Sequence, residues 1–337
     1  MKHSLFIGVD ISKATLDVSI LTAADSNTVH YQQFSNNAKG FTQLLKWIRK
    51  QSQGMKQENW RVCMENTGMY SMELNCFLQE RGIWQCLENA LQIKRSMGVT
   101  RGKSDKADSR VIALYAYRFS DKLRPYILPS KTLLRLRALF AQRERLVGMH
   151  RQLQLAGKSL KGYAKELVCD IQKQNAVLLK NLAAQIKEID QALNECLNQD
   201  QDLRHKAKLI QSVPGIGLQT AAYLLIVSRG MRSFDSPRQF ACYSGCAPFE
   251  HSSGVSVRGK TKVHFIANRK MKMLLHMAAI NAITFNEELK AYYRRKTSAG
   301  KNPMSVLNAV RFKLICRIFS VVKREEAYQK NYRKIAA

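Results

Sequence analysis

Four acidic residues are spaced as ligands for a hard metal ion that supports phosphoryl transfer. Asp10 and Glu65 each end a short apolar run, whereas Asp105 and Asp108 are three residues apart at the start of a helical stretch. That spacing puts the last two carboxylates on one helix face. Mg²⁺ takes oxygen ligands from several elements, and paired ions about 4 Å apart can assist both oxygens of a phosphoryl transfer. Two simpler roles stay open, since Asp10 could begin a turn and Asp105 could cap a helix.

The first third of the chain has the pattern of an α/β domain. Three successive strands followed by alternating helices and strands predict a mixed sheet. Strands are predicted at residues 5–10, 16–21, 29–34, 60–65 and 84–88, and helices at 41–50, 69–79 and 105–119. Pro125 and Pro129 then mark a linker.

The middle third, from Lys131 to Lys208, is predicted to be helical and contains no proline. Its apolar residues follow heptad spacing at Leu179, Leu182, Ile186, Ile189, Leu193 and Cys196. This run of about two and a half heptads suits a helical hairpin or a dimer arm. Core packing within one chain is the alternative.

The last third opens with a Gly-x-Gly turn at Gly215 and Gly217, ahead of an apolar helix at 220–227. Backbone N–H groups at such a turn can hold a phosphate, and the motif resembles the hairpin of helix-hairpin-helix DNA-binding elements. An ordinary helix–helix turn is the alternative interpretation.

A basic stretch follows this turn. Residues 252–260 are predicted to form a loop of small and basic residues, ahead of an apolar helix at 274–283. The candidate nucleic-acid contacts are Arg258, Lys260, Lys262, Arg269 and Lys270.

Net charge favours a polyanionic partner. The 337 residues carry a formal charge of +30, and 45% of them are hydrophobic, which is enough to support globular cores. Residues 1–100 have 11 basic and 8 acidic residues, whereas residues 254–337 have 19 basic and 4 acidic residues. Basic charge concentrated in one region is typical of nucleic-acid binding. Its spread over folded segments argues against a simple membrane anchor.

Targeting signals and disulfides are not expected. The N-terminus lacks the pattern of a signal peptide, and no apolar run approaches the roughly 20 residues of a membrane span. The eight cysteines are predicted to be reduced core thiols, including the close pair Cys242 and Cys246, for which no other zinc ligands are nearby. The expected location is the bacterial cytoplasm, in association with the nucleoid.

Six motifs, in this order and spacing, resemble the insertion-sequence transposases that have a DEDD, RuvC-like N-terminal domain and are related to the Piv DNA invertases. They are Gly8-x-Asp10, Glu65-x-Thr67-Gly68-x-Tyr70, Lys103-Ser104-Asp105-x-x-Asp108, Pro214-Gly215-Ile216-Gly217, Phe240-Ala241-x-Tyr243-x-Gly245-x-x-Pro248 and Ser253-Gly254-x-Ser256-x-Arg258-Gly259. The resemblance implies a RuvC/RNase H-like domain at 1–125, a helical coiled-coil region for dimerisation at 126–208, and a mostly helical transposase domain at 209–337.

The resemblance also implies a mechanism. Family members cut and rejoin DNA under the guidance of a structured bridge RNA, as dimers or tetramers that bring donor and target DNA together. The four carboxylates would bind Mg²⁺, and Ser253 would attack a DNA phosphate and become covalently attached, in a composite site that unites serine and metals. Arg258 and Lys260 would neutralise that phosphate. The residues themselves do not distinguish Ser253 from Ser252 or Ser256.

One segment departs from the family pattern. Many relatives have a Ser-Lys-x-Gly loop where this chain has His264-Phe265-Ile266-Ala267. Asp17 lies on the second predicted strand but matches no family position, so it is not included among the candidate ligands.

Three rival functions remain. A RuvC-like junction nuclease would need the carboxylates but no serine nucleophile, and a non-catalytic nucleic-acid-binding protein would need neither. A sugar- or acetate-kinase-like protein would require glycine-rich nucleotide loops that the chain does not convincingly have, and it would leave the +30 charge unexplained.

Overall fold

The computed structural model describes residues 4–22, 29–66, 68, 70–96, 98, 104–160, 163, 165–253, 257–263 and 266–330. Side chains of residues 22, 165–167 and 250–262 lie outside that description. By its contacts the chain divides into two compact units, Met1–Leu128 and Pro129–Ala337. The three-domain division at 1–125, 126–208 and 209–337 stays a prediction.

The N-terminal unit is built on one five-stranded sheet. Its strands are β1 (Leu5–Ile11), β2 (Thr15–Thr22), β3 (Val29–Ser35), β4 (Trp60–Glu65) and β5 (Gln85–Glu88). Its helices are α1 (Ala38–Gln51), α2 (Met72–Glu80), α3 (Ala90–Ser96) and α4 (Asp105–Arg118), with a 3-10 turn at Gln57–Asn59. The strand order is β3-β2-β1-β4-β5; β1 pairs antiparallel with β2 and parallel with β4. The predicted mixed sheet is confirmed.

Both faces of this sheet are covered, because successive side chains of a strand point to opposite faces. Ile7 and Val9 of β1 belong to a core that includes Phe41 and Leu44 of α1. On the opposite face, Phe6 belongs to a second core, which includes Ile112, Ala113, Tyr115 and Ala116 of α4. The central strand therefore packs between α1 and α4.

Helix α4 approaches the backbone of β1 most closely at Gly8. A Cβ atom built on Gly8 would lie 2.2 Å from the backbone nitrogen of Ala113 and 2.3 Å from the carbonyl oxygen of Ser109. Beside this contact, the buried hydroxyls of Ser19 and Ser109 form a 2.8 Å hydrogen bond that ties β2 to the same helix. The glycine thus allows α4 to lie directly on the sheet.

The C-terminal unit is mostly helical, as predicted. Its helices are α5 (Lys131–Ser159), α6 (Lys165–Asn198), α7 (Gln201–Gln211), α8 (Leu218–Val227), α9 (Pro237–Tyr243), α10 (Arg269–Phe285), α11 (Glu287–Ser298) and α12 (Pro303–Arg324). One core joins residues of α5, α6, α7, α8, α10 and α12. Among the described residues, no helix is long and apolar enough to cross a membrane.

Helices α5 and α6 form a long hairpin. Burial of the heptad residues on α6 increases toward its end, from the half-buried Leu179 to the buried Leu193 and Cys196. Near the same end, Arg143 of α5 donates to Asp190 of α6 over 2.6 Å. Part of the heptad seam therefore joins the core of its own chain.

The basic segment at 252–260, predicted as a loop, is largely a hairpin. Strand β6 (Pro248–Ser253) pairs antiparallel with β7 (Val257–Val263), with an irregularity between Phe249 and His251. The alternating Val257, Thr261 and Val263 favour a strand, but the arginine, glycine and lysines between them hide that preference. Residues 254–256, including Ser256, and residues 264–265 of the divergent segment lie outside the described residues.

The cysteines are free thiols, and the prediction of core positions holds for only some of them. Cys63, Cys86, Cys196 and Cys246 are buried, and Cys242 is half-buried. Cys169 of α6 is exposed, so its predicted core position is wrong.

Gly8→Ala should destabilise the protein by about 3 kcal/mol or more, because the added methyl would overlap backbone atoms that cannot rotate away. The measurement is urea unfolding monitored by circular dichroism. Gly148→Ala in α5 is the control, since a Cβ there meets nothing within 4 Å; it should stabilise its helix by up to about 1 kcal/mol. An unchanged unfolding midpoint for Gly8→Ala would contradict the proposed close contact.

Candidate active site

Strand register brings Asp10 and Glu65 together. Strands β1 and β4 are parallel, and Val9 pairs with Met64 immediately before the two acidic residues. The next residue along each strand therefore lies at the same edge of the sheet and on the same face. Both carboxylates are half-buried.

The other two carboxylates come from the first turn of α4. Ser104 caps the helix by accepting a 3.2 Å hydrogen bond from the backbone N–H of Ala107. Asp105 is exposed and Asp108 is half-buried, and both benefit from the positive end of the helix dipole. One carboxylate oxygen each of Asp10, Asp105 and Asp108 lies within 4.8 Å of the others.

The clustering of these carboxylates changes the acidity of Asp10. Its pKa rises from an ordinary 3.8 to about 6, chiefly because burial disfavours the charged form and then because of the charges of Asp108, Glu65 and Asp105. A hydrogen bond from the backbone N–H of Ile11 partly opposes this rise. All four predicted ligands therefore interact electrostatically at one place.

This donor set fits a divalent cation. Its ligand atoms are all carboxylate oxygens, which hard cations such as Mg²⁺ prefer. The mutual repulsion that raises the pKa of Asp10 would be relieved by positive charge at the centre of the cluster. Asp10, Asp105 and Asp108 are placed to hold the ion, with Glu65 beside them.

Asp17, which is not among the predicted ligands, lies directly opposite Asp10 in the β1–β2 register. It is 2% exposed, and it accepts a 2.6 Å hydrogen bond from the Tyr31 hydroxyl and a 3.2 Å bond from the Gln33 amide. The bond to Asp17 raises the pKa of Tyr31 to about 12, with smaller effects from burial and from Asp105. The register of a tight β1–β2 hairpin could have revealed this position.

Glu88 extends the same row of carboxylates at the other side of the sheet. It pairs with Glu65 in the parallel register of β4 and β5. Burial raises the pKa of Glu88, and a hydrogen bond from Tyr115 of α4 opposes that rise. One row across the sheet thus carries Asp17, Asp10, Glu65 and Glu88.

The candidate nucleophile lies on the β6–β7 hairpin of the C-terminal unit. Ser253 is the last residue of β6 and pairs with Val257, while Ser252 pairs with Arg258. The side chains of Ser253, Arg258, Lys260 and Lys262 lie outside the described residues.

The base of this hairpin is held by several polar contacts. The backbone N–H of Asn268 donates to the carbonyl of Tyr243 over 2.8 Å, and the Asn268 amide donates to the Tyr243 hydroxyl over 2.7 Å. Gly245 has φ +66°, and a Cβ there would lie 2.6 Å from Cβ of Ala267. These contacts join the residues just before the hairpin to those just after it.

The other four predicted nucleic-acid contacts lie in different environments. Gly215 packs against α10, where a Cβ would lie 2.3 Å from the carbonyl oxygen of Ala278, whereas Gly217 caps α8 with open space beside it. Arg269 is exposed, and the Lys270 ammonium forms an ion pair with Glu144 of α5. Gly215 therefore has a packing role in addition to any contact with phosphate.

Comparison with known proteins covers both units. A family described as "Transposase" matches residues 7–163, which include the four carboxylates, and a family described as "Transposase IS116/IS110/IS902 family" matches residues 207–294, which include Ser253. The chain belongs to the IS110 family of transposases. As such, it is an enzyme that cleaves and rejoins DNA.

Relatives of this IS110-family chain include the pilin gene-inverting protein of Moraxella lacunata. The two are 26% identical over 330 residues, covering 96% of this chain and 98% of that protein. An IS110 protein of Streptomyces coelicolor is 25% identical over 156 residues, covering 45% of this chain and 38% of that protein. Among solved structures, Thermus thermophilus RuvC with a Holliday junction substrate aligns over 37% of this chain and all of that one, with 11% identity and a TM-score of 0.27.

Asp10→Asn should stabilise the metal-free transposase at about pH 7.5 by about 1–2 kcal/mol, after allowance for the partial exposure of Asp10. Above pH 6 this carboxylate is ionised in both folded and unfolded chains, so the folded state bears the full repulsion. As the pH falls from about 6 toward 4, the wild-type aspartate takes up a proton mainly in the folded state, and the advantage of asparagine should disappear.

The measurement is chemical unfolding in EDTA across this pH range. Asp121→Asn is the control, because Asp121 is exposed and is not among the groups that raise the pKa of Asp10. An Asp10→Asn effect that is independent of pH would contradict the assigned repulsion.

Proposed function

We propose that this transposase moves its DNA element through a covalent serine–DNA intermediate formed by Ser253, with Mg²⁺ as its metal and a structured RNA as its guide. The observation that supports a metal-dependent reaction most directly is the convergence of Asp10, Asp105 and Asp108 within 4.8 Å. Membership of the IS110 family supports recombination rather than hydrolysis alone.

The four carboxylates hold and orient the metal in this proposal. Asp10 and Glu65 are fixed by the sheet, whereas Asp105 and Asp108 are fixed by a capped helix, so the ligands are anchored on rigid elements. Bound Mg²⁺ supplies charge stabilisation for the attacking and leaving oxygens of phosphoryl transfer.

The proposed chemical step exchanges one phosphate ester for another. The Ser253 hydroxyl gives up its proton as its oxygen bonds to the phosphorus atom. The bond from phosphorus to one deoxyribose oxygen breaks, and that oxygen takes up a proton and leaves as a hydroxyl. Attack by a hydroxyl of the other DNA then releases the serine. Because the ester is conserved, rejoining needs no external energy source. A serine hydroxyl is a weak nucleophile, so it requires activation and charge stabilisation nearby, which Arg258 and Lys260 on the facing strand are proposed to supply.

Nucleic acid partners are supported by charge. A formal charge of +30 favours binding of both donor and target DNA, and of a guide RNA, through their phosphates. If the RNA chooses the target by base pairing, the protein needs to recognise mainly backbone and duplex shape. The gene-inverting relatives rearrange DNA as well, which is consistent with two DNA segments being handled together.

A dimer or tetramer is proposed because two DNA segments must be joined. The helical hairpin exposes apolar side chains at Met149, Leu155, Ile171, Val177 and Leu178. Exposed apolar groups on one projecting element are typical of a protein–protein contact. We assign this surface of α5 and α6 to contact with a second copy.

The alternative function is a RuvC-like junction nuclease. It would use the same carboxylates to hydrolyse DNA, without any covalent intermediate and without Ser253.

Ser253→Ala should abolish a covalent protein–DNA adduct, because only the serine oxygen can form that ester. The assay incubates protein, cognate RNA, donor and target DNA and Mg²⁺, and resolves the products on a denaturing protein gel. Ser252→Ala and Ser256→Ala are the matched controls and should retain the adduct. Omission of Mg²⁺, or Asp108→Asn, should also prevent it.

Cleavage that persists in Ser253→Ala without any adduct would favour the junction-nuclease alternative.

Val177→Glu combined with Leu178→Glu should shift the protein toward a monomer, because charge is costly in an apolar contact. Light scattering after size-exclusion chromatography measures the mass. Lys180→Glu, at another exposed position of α6, should leave the mass unchanged. An unchanged mass for the double variant would place the subunit contact elsewhere.

A further inference from the structure

Helix α12 carries one arginine inside the core of the C-terminal unit. Arg311 is 5% exposed, and its helix neighbours Val310, Leu314 and Ile315 are fully buried. Arginine remains protonated in proteins, so this position places a positive charge among apolar side chains. Such burial is costly unless the charge is paired and its N–H groups are all bonded.

The hydrogen-bond partners of Arg311 are neutral. Its Nη2 donates to Nδ1 of His276 over 2.6 Å, and its Nη1 donates to Oδ1 of Asn308 over 3.3 Å. Its Nε has no hydrogen-bond partner among the described residues. Because guanidinium nitrogens only donate, Nδ1 of His276 must accept, so this imidazole is neutral.

Two half-buried arginines of the same unit have carboxylate partners. Arg143 is ion-paired with Asp190 at 2.6 Å, and Arg317, two turns further along α12, makes two 2.7 Å bonds to Glu288. Within the described part of the chain, Arg311 forms no ion pair with any carboxylate. Burial lowers the pKa of Arg311, and the charge interaction and hydrogen bond of Arg311 with the Cys246 side chain oppose that fall.

A second cation lies close to this guanidinium. Both Lys272 and Arg311 act electrostatically on the thiol of Cys246. Lys272 is half-buried and lies alongside Gly245, where its Cδ would be 3.5 Å from an added Cβ. It too forms no ion pair among the residues that the structure describes. Burial and the charge of Arg311 lower the pKa of His276, which favours its neutral form. The imidazole therefore does not change the charge of this cluster.

These cations lie where the chain enters the β6–β7 hairpin. The Asn308 amide, which accepts from Arg311, donates to the carbonyl oxygen of Cys246 over 2.8 Å. Cys246 is two residues before Pro248, the first residue of β6. Arg311 and Lys272 thus flank the base of the hairpin that carries Ser253.

We propose that Lys272 and Arg311 form a phosphate-binding site at the base of this hairpin, and that a DNA phosphodiester is the anion that compensates the buried guanidinium. This inference deepens the proposed function, because it gives the serine hairpin a docking point for DNA backbone. The half-buried ammonium of Lys272 contacts the phosphate, and Arg311 supports it from the core. The site is separate from the basic residues of β7.

The test compares two arginines on one helix. Arg311→Met preserves volume but removes the charge, and Arg317→Met does the same for an arginine that has a carboxylate partner. Binding of a fluorescein-labelled DNA duplex to the full-length protein is measured by anisotropy in EDTA, from about 50 to 200 mM salt. Thermal unfolding is recorded for each variant.

We expect Arg311→Met and Lys272→Met each to weaken DNA binding by about tenfold and to reduce the slope of log Kd against log salt by about one. Arg311→Met should unfold at the same or a higher temperature, since an unpaired buried charge has been removed. Arg317→Met should unfold at a lower temperature, because it leaves Glu288 unpaired, and its salt slope should not change. Arg311→Lys should retain the wild-type slope.

Unchanged affinity and slope in Arg311→Met would overturn the proposal, as would a loss of folding or of thermal stability, which would mark the arginine as structural. A reduced slope of log Kd against log salt in Arg311→Lys would also overturn it. Thermal unfolding is also measured with inorganic phosphate at matched ionic strength. If phosphate stabilises the wild type but Arg311→Met leaves DNA binding unchanged, the site binds a free anion and not DNA. DNA binding in EDTA does not depend on Ser253, so failure of the serine mechanism would be seen separately in the trapping assay.

Discussion

The close contact between α4 and β1 at Gly8 is the constraint on which the acidic site depends. Because Gly8 has no Cβ, the backbone of α4 reaches the strand, and backbone atoms of Ser109 and Ala113 occupy the space that a side chain would fill. Asp10 is two residues further along the same strand, and Asp108 immediately precedes Ser109. A larger residue at position 8 would therefore separate a strand ligand from a helix ligand that the sheet and helix otherwise hold together.

That arrangement concentrates negative charge in a chain that is strongly basic overall. Burial and three neighbouring carboxylates raise the pKa of Asp10, so the folded unit is strained electrostatically without a cation. The same carboxylates would repel a phosphate, whereas the formal charge of +30 attracts nucleic acid. Long-range attraction and local repulsion are compatible if a metal ion neutralises the cluster, which is why the charge distribution fits a metal-dependent nucleic-acid enzyme.

Much of this site could be predicted from local sequence, because its elements are locally encoded. The apolar runs that end at Asp10 and Glu65 predict two strands of a mixed sheet, and the three-residue spacing of Asp105 and Asp108 predicts one helix face. The opposition of Asp17 to Asp10 required the register of the β1–β2 hairpin. The sequence predicts a loop where the β6–β7 hairpin lies, because the serine, glycine and lysine residues of this segment conceal a few β-branched positions. His276 and Cys246, which interact with Arg311, are 35 and 65 residues away from it in sequence. No local pattern encodes such a separation.

Buried charge offers a physical criterion for distinguishing function from stability in this protein. Two half-buried arginines follow the usual rule and are paired, Arg143 with Asp190 and Arg317 with Glu288. Two places in the described part of the chain break the rule in opposite senses: the clustered carboxylates beside Asp10, and the cations Arg311 and Lys272, which form no ion pair there. Both breaks lower the stability of the free protein, and both would be relieved by the components of a phosphoryl-transfer reaction, a metal cation in one unit and a phosphate anion in the other. Functional sites are where proteins tolerate such local conflicts, so the two exceptions are better explained by ligands than by folding.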